Sequence, residues 1–253
     1  MFLALFKARI RRHAKQIFTE LLGDDYDGEV FLCGGAFKPL LKRKLPINDF
    51  DLWVRDNTQR GKLVQFLLNR GATIARDFVP YCIKLRLDGR IIEITYNNVD
   101  DRSLEDVLNT FDLAVCGMGA RFACNRVAEV FVSPECWNAI RHRAVRTVPS
   151  YMCFLSIQRA ASLVRTLHRM GQQATELGYE VDTAHEHALW EIFWSDFSED
   201  ERRAAVDLYF ETMVAHNGRC DQRLMRRAMV GFTPPMTEAL EQAPVTHLVP
   251  HPA

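Results

Sequence analysis

Two stretches of the sequence decide the fold: residues 34–41 read GGAFKPLL, and residues 48–54 read NDFDLWV. The apolar run VFLC at residues 30–33 predicts a buried strand that enters a tight turn at the glycines. The second stretch alternates before it turns apolar, which predicts another strand. Residues 36–44 carry an apolar stripe among lysines and an arginine, and predict a short helix that Pro46 ends.

Asp49 and Asp51 lie two positions apart on the second predicted strand, so their side chains point to the same face. Their Cα atoms are then roughly 6.6 Å apart, from a rise of about 3.3 Å per residue. In proteins Mg²⁺ is usually held by one or two carboxylates together with substrate phosphates. The aspartate pair therefore predicts a site for Mg²⁺ or Mn²⁺ at which a triphosphate binds.

The glycine pair predicts how the phosphates are held. Gly34 and Gly35 let the backbone come close to a phosphate, and their N–H groups can form an anion nest. Lys38 adds positive charge at the same place, as do the cations of residues 42–44. We therefore predict that Gly34, Gly35 and Lys38 bind the nucleotide.

Two further carboxylates are candidates for the site. Glu93 is a lone charge between isoleucines in DGRIIEIT, residues 88–95, and either faces solvent or points at something. Beside a D-x-D motif it is predicted to be the third metal-binding carboxylate. Asp112 has two interpretations: a fourth carboxylate that helps to bind the nucleotide, or the cap of a strand predicted over residues 112–118. A D-x-D motif alone is common, so the prediction depends on its combination with the glycine pair.

These motifs resemble the head domain of polymerase-β-superfamily nucleotidyltransferases, and are most similar to the bacterial type that includes CCA-adding enzymes and poly(A) polymerases. DGRIIEIT is similar to the D-G-x-x-x-E-V-T strand of that family. LGYEVD, residues 177–182, is similar to the L-G-F-x-I-D end of its neck helix. The resemblance implies that Asp49 and Asp51 bind catalytic Mg²⁺ and that Glu93 supports them.

The sequence departs from the family where the family reads the nucleotide. AFKP at residues 36–39 replaces the usual V-R-D after the glycines. Asn109 and Thr110 stand where the R-R-D-F segment has its arginine pair, and the E-D-x-x-R element is not visible. The metal-binding motif is thus retained while the nucleotide-reading motifs are changed, and the base that is added is not predicted.

The elements predict an α+β fold: a small mixed β-sheet nucleotidyltransferase head domain followed by an all-helical domain. The domains are predicted at residues 1–148 and 149–232, with a Pro-rich flexible tail at residues 233–253. A helix is predicted at residues 1–22, before the first strand. The helices of the second domain are predicted at residues 151–178, 183–197, 199–217 and 220–230.

Composition limits the class of protein. Apolar residues make up 48% and charged residues 25% of the chain, as in a soluble globular protein. Seven scattered cysteines without a C-x-x-C pair predict free thiols in a reducing, cytoplasmic setting. No stretch approaches the roughly 18 apolar residues of a membrane span, so no membrane partner is predicted. Oligomeric state is not predicted.

The balanced net charge of the chain is compatible with a local surface that binds nucleic acid. The 32 basic and 32 acidic residues balance, which argues against a protein that coats nucleic acid but not against a basic groove. The arginines at the end of the first predicted domain and in the first helix of the second have two interpretations. They form either an RNA-binding groove or a solvated helix face. These arginines are Arg141, Arg143, Arg146, Arg165 and Arg169.

Two other patterns carry no chemistry in this interpretation. His185 and His187 are two residues apart on a predicted helix, so they do not face each other and predict surface histidines, not a metal site. The aromatic residues with i, i+3, i+4, i+7 spacing predict helical core rather than a platform for bases. They are Trp190, Phe193, Trp194 and Phe197.

The preferred hypothesis is transfer of a nucleoside monophosphate from an NTP to an acceptor hydroxyl, with release of pyrophosphate. The acceptor is predicted to be the 3′ end of an RNA, foremost a tRNA. One alternative is an enzyme of the same fold that acts as a toxin on tRNA, or that nucleotidylates a protein or a small molecule. The other is a catalytically silent module that binds RNA or protein.

Overall fold

The computed structural model describes residues 2–78, 82–95, 103–148 and 160–215, together with Leu224, Arg227 and Ala228. Its first half is built on a seven-stranded mixed sheet. The strands of that sheet are β1 (Val30–Cys33), β2 (Asp49–Trp53), β3 (Thr73–Phe78), β4 (Cys82–Leu87), β5 (Arg90–Thr95), β6 (Met118–Ala123) and β7 (Arg126–Val132). Their order across the sheet is β3-β4-β5-β2-β1-β6-β7.

Helices cover the sheet and make up most of the second half. In chain order they are α1 (Phe2–Leu22), α2 (Lys38–Leu41), α3 (Asn57–Asn69), α4 (Leu104–Leu108), α5 (Pro134–His142), α6 (Ala160–Leu177), α7 (Thr183–Ser195) and α8 (Glu199–Ala215). Two 3₁₀ turns lie at Gly34–Phe37 and Ala114–Cys116. The predicted α+β fold class is therefore confirmed.

The sheet separates two cores. A row of apolar side chains crosses four strands on one face, and its members are buried against α1 and α3: Leu32, Leu52, Ile94 and Ile83. On the other face Phe31 and Cys33 pack against the apolar side of α4. Because side chains alternate along a strand, a one-residue slip would exchange these faces, so burial fixes the register of β1 and β2.

Strand β2 lies in the middle of the sheet and determines where the predicted aspartates point. It pairs antiparallel with β1 and parallel with β5. Phe50 and Leu52 of β2 are buried in the larger core. Asp49 and Asp51 alternate with them and therefore project from the opposite face.

The helical half has its own core, built from α6, α7 and α8. Leu163, Leu189 and Val206, one from each helix, are fully buried. Of the predicted aromatic core residues, Trp190 and Phe193 are buried, and Trp194 and Phe197 pack partly buried against the same core. The prediction of helical core is confirmed.

Two predictions of secondary structure are wrong. Residues 112–118 are not one strand, because the chain turns there: Cys116 and Gly117 donate backbone hydrogen bonds to Leu113 and Ala114. The second half is not all-helical either. A short strand β9 (Glu180–Val181) pairs in parallel with β8 (Ala144–Val145), so the end of α6 is tied back to the first half.

Strand β3 and helix α5 are among the elements that were not predicted from the sequence. Strand β3 lies at the sheet edge, where Ile74 is 55% exposed, so its sequence lacks the apolar alternation that marks a half-buried strand. Helix α5 begins after the cap Ser133 and ends at Arg143, which adopts a left-handed backbone conformation with φ +51°.

Some predictions lie outside the described residues. They include the proline-rich tail, the start of the helix predicted from residue 151, and most of the helix predicted at 220–230. The domain boundary at residue 148 stays a prediction. None of the described helices has both the length and the hydropathy that a bilayer crossing needs.

Candidate active site

The glycine turn lies directly against the aspartates of β2. Gly34 has a φ of +62°, a conformation that favours glycine, and a Cβ on it would lie 3.1 Å from Asp51 Oδ2. A Cβ on Gly35 would lie 4.0 Å from Asp49 Oδ1. The N–H of Gly35 donates a hydrogen bond to the Asp51 carboxylate. The structure thus brings the two predicted motifs together, and both glycines leave the aspartate face open.

Asp49, Asp51 and Glu93 form one cluster. Asp51 and Glu93 are register partners on the parallel strands β2 and β5, and Asp49 precedes Asp51 by two positions on the same face. Each of the three offers a carboxylate oxygen, and these oxygens lie within 4.8 Å of one another. Within the described part of the chain this is the one such cluster of three or more acidic, histidine or cysteine side chains.

The cluster holds more negative charge than its surroundings neutralise. Burial, and after it the charges of Asp49 and Glu93, raise the pKa of Asp51 to about 7. The guanidinium of Arg169 and the hydrogen bond from Gly35 oppose that rise. A site in which carboxylates repel one another in this way is stabilised by a bound cation.

The donor set fits a hard divalent ion. Among the described residues the set consists of three carboxylates, without a histidine. Oxygen ligands of this kind suit Mg²⁺ and Mn²⁺. The three side chains are partly exposed, so the cluster can be reached from solvent. Mg²⁺ sites built from one to three carboxylates commonly take further ligands from water and substrate oxygens.

Lys84 is a neighbour of the site that was not predicted from the sequence. Its Nζ lies 2.6 Å from Glu93 Oε2, and it is the register partner of Glu93 on β4. Burial lowers the pKa of Lys84, but its hydrogen bond and charge pairing with Glu93 outweigh this and raise the pKa. The signal was present: a two-residue turn at Asp88 and Gly89 sets Lys84 opposite Glu93.

The predicted phosphate ligand Lys38 contacts the helical half. Its Nζ lies 2.8 Å from Glu176 Oε2 on α6, and Lys42 Nζ donates to the backbone oxygen of Glu176 at 2.6 Å. These contacts tie the helix after the glycine turn to α6. Binding of nucleotide by Lys38 stays a prediction.

Asp112 is buried and holds Arg169. Arg169 donates through one nitrogen to both Asp112 oxygens, at 2.7 and 2.8 Å, and the Thr166 hydroxyl donates to the same carboxylate at 3.2 Å. Arg169 also lies close enough to Asp51 to lower the pKa of that carboxyl. Asp112 therefore positions an arginine of α6 beside the cluster, and direct contact of Asp112 with a nucleotide remains untested.

The predicted RNA-binding arginines have different contacts in the structure. Arg146 pairs with Asp182 at 2.9 Å. Arg143 donates to the backbone oxygen of Gly178, and with Arg141 it lines a cavity of about 510 Å³. Arg165 is exposed on α6. Arg169 is held at Asp112. Contact of these arginines with RNA stays a prediction.

His185 and His187 have separate partners, but only His187 is the exposed surface histidine that was predicted. Nδ1 of His185 lies 2.8 Å from the Thr147 hydroxyl, and burial lowers the pKa of this histidine. His187 is exposed and pairs with Glu191 one helical turn on. Neither belongs to the carboxylate cluster.

Comparison with known proteins places the fold. No protein-family model and no curated protein sequence matches the chain. A solved CCA-adding enzyme in apo form I matches with a TM-score of 0.57 and 14% identity, over 95% of this chain and 56% of that chain. A CCA-adding enzyme with CTP matches with a TM-score of 0.56 and 14% identity, over 94% of this chain and 59% of that one.

A tRNA nucleotidyltransferase complexed with a primer tRNA and an incoming ATP analog matches with a TM-score of 0.50 and 18% identity, over 90% of this chain and 58% of that one. The chain thus spans less than two thirds of the length of each of these structures. At this level of identity the likeness shows the fold. The architecture is that of the CCA-adding tRNA nucleotidyltransferases, and the resemblance predicted from the sequence is confirmed at the level of fold.

Proposed function

We propose that this protein is a divalent-metal-dependent nucleotidyltransferase that moves a nucleoside monophosphate from an NTP to an acceptor hydroxyl. The observation that carries the proposal is the convergence of Asp49, Asp51 and Glu93 beside the glycine turn. This convergence occurs in the fold that the chain shares with CCA-adding enzymes. Fold alone does not define function, so the proposal depends on the site.

Nucleotidyl transfer requires that negative charge be stabilised on two oxygens, the attacking acceptor oxygen and the leaving oxygen of pyrophosphate. The acceptor oxygen forms a bond to the α-phosphorus, the bond from that phosphorus to the bridging oxygen breaks, and pyrophosphate leaves. Divalent ions held by the three carboxylates supply activation of the hydroxyl and neutralisation of the leaving group. We assign Asp49, Asp51 and Glu93 to holding Mg²⁺ or Mn²⁺.

The glycine turn is assigned to the triphosphate. A Cβ on Gly34 would lie 3.1 Å from Asp51 Oδ2. Because Gly34 has no side chain there, substrate phosphates can reach the carboxylates across the turn. Gly35 donates its N–H to Asp51 and orients that carboxylate. Arg169, held by Asp112, and Lys38 are the cations that flank this position.

RNA, foremost the 3′ end of a tRNA, is the proposed acceptor. Support comes from the fold shared with a tRNA nucleotidyltransferase that was solved with a primer tRNA. Nucleotidylation of a protein or small molecule by the same site is the second candidate. It differs from the first candidate only in the acceptor, because the same carboxylates and glycine turn would serve both.

The test is transfer of label from each of four α-labelled NTPs to total RNA with Mg²⁺ or Mn²⁺. Asp51→Asn removes one carboxylate charge, and Asp207→Asn, on the exposed side of α8, is the matched control. We expect wild type and Asp207→Asn to label RNA 3′ ends, and Asp51→Asn to lose at least about a hundredfold in rate. Equal labelling by both variants would remove the assignment, and labelled protein would select the second candidate.

A further inference from the structure

Three cations lie on the sheet face that carries the carboxylate cluster. Lys84 on β4 is the register partner of Glu93, and Arg76 on β3 is the register partner of Lys84. Arg86 lies two positions after Lys84 and therefore points the same way. The residues on either side of Lys84, Ile83 and Leu85, are buried in the core on the opposite face.

These residues continue a row that crosses five strands. From β1 to β3 the register partners are Cys33, Asp51, Glu93, Lys84 and Arg76. Charge along the row changes from negative to positive between Glu93 and Lys84. The carboxylate cluster therefore has the glycine turn on its β1 side and a basic surface on its β3 side.

The geometry of phosphoryl transfer separates these two sides. Attacking and leaving oxygens stand roughly in line on opposite sides of the phosphorus. If pyrophosphate departs over Gly34 and Gly35, which lie against Asp51, the acceptor hydroxyl approaches from the side of Glu93. The strands beyond Glu93 on that side are β4 and β3.

We infer that Arg76, Lys84 and Arg86 form the surface that binds the backbone phosphates of the acceptor RNA next to its 3′ end. The inference rests on the proposed function and deepens it. Arg76 and Arg86 are exposed, and the Lys84 side chain is 34% exposed beside Glu93. The neighbouring acidic residue Asp77 does not break the surface, because its register partner is Ile83, whose side chain points into the core.

An RNA backbone fits this surface better than an acidic peptide does. The cations follow two adjacent strands, so their Cα atoms are spaced by roughly 5–7 Å in two directions, which suits a regularly charged chain. Phosphate contacts of this kind position a nucleic acid and do not read its sequence. Such a surface would therefore guide any RNA 3′ end toward Glu93.

The experiment measures direct binding of a fluorescent RNA hairpin with a single-stranded 3′ overhang, at several salt concentrations. Arg76→Gln with Arg86→Gln removes two charges from the proposed surface. Arg12→Gln with Lys62→Gln is the matched control, because both residues are exposed on helices that pack against the opposite sheet face. Metal-dependent NTP binding is measured in all proteins.

We expect the Kd of Arg76→Gln/Arg86→Gln for RNA to rise roughly tenfold and the slope of log K against log salt to fall by about 1.4, with NTP binding unchanged. The control pair should change the Kd less than about twofold. This inference would be overturned if both double variants weakened RNA binding equally, or if Arg76→Gln/Arg86→Gln had no effect. Metal-dependent NTP binding by the same proteins would still uphold the proposed function. Failure of wild type to bind NTP with metal would overturn both.

Discussion

Replacing Asp51 by asparagine should stabilise the metal-free protein at alkaline pH. The pKa of Asp51 is raised from 3.8 to about 7 by burial and by the charges of Asp49 and Glu93. The folded protein therefore binds more protons than the unfolded chain between about pH 4 and pH 7. Its free energy of unfolding falls as pH rises through this window, and the loss is complete above about pH 7.

The structure sets the size of the effect. A rise of about 3 pKa units corresponds to roughly 4 kcal/mol at about 1.4 kcal/mol per unit. Because Asp51 is partly exposed, water screens the repulsion, and we expect a gain of about 1–3 kcal/mol at pH 8. Asparagine keeps an oxygen for the hydrogen bond from Gly35, so that backbone N–H keeps its acceptor.

Urea unfolding of wild type and Asp51→Asn, with EDTA, from pH 4 to pH 8.5 measures this directly. The difference in unfolding free energy should be near zero at pH 4 and should rise to its plateau above pH 7. Saturating Mn²⁺ should reverse the order at pH 8, because it stabilises wild type by about 4.1 kcal/mol at one thousand times its Kd. A variant less stable than wild type at pH 8, or a difference independent of pH, would refute the reasoning.

Three smaller predictions follow from named contacts. Lys84→Met should tighten Mn²⁺ binding several-fold in calorimetry, because the ammonium no longer competes for Glu93 at 2.6 Å; weaker binding would contradict this. Arg169→Met should lower the free energy of unfolding by about 2 kcal/mol, since it leaves buried Asp112 without its cation, an effect moderated by the exposure of the arginine. Ser103→Ala breaks the capping box of α4 and should cost about 1 kcal/mol in urea unfolding, and an unchanged midpoint would argue against that cap.

The central part of the site could be predicted because its signals are local. Asp49 and Asp51 share a face through the two-residue period of a strand, and the same period buries Phe50 and Leu52. Glu93 follows the same logic, since a charge between buried isoleucines must project from the other face. Lys84 was equally accessible, because a two-residue turn fixes its position opposite Glu93.

Other contacts could not be predicted because they join residues far apart in sequence. Arg169 and Asp112 are 57 positions apart, and Lys38 and Glu176 are 138 apart. Each pair depends on how α6 packs beside the sheet, which no pattern in either segment encodes. The Arg146–Asp182 pair is likewise a contact between segments far apart in sequence.

The central claim is that Asp49, Asp51 and Glu93 hold divalent ions together with a triphosphate. Anomalous scattering from crystals grown with Mn²⁺ and a non-hydrolysable NTP tests it most directly. We predict anomalous peaks within about 2.3 Å of oxygens of these three carboxylates, with the triphosphate over Gly34 and Gly35. Bound nucleotide without such peaks, or peaks at other side chains only, would contradict the claim.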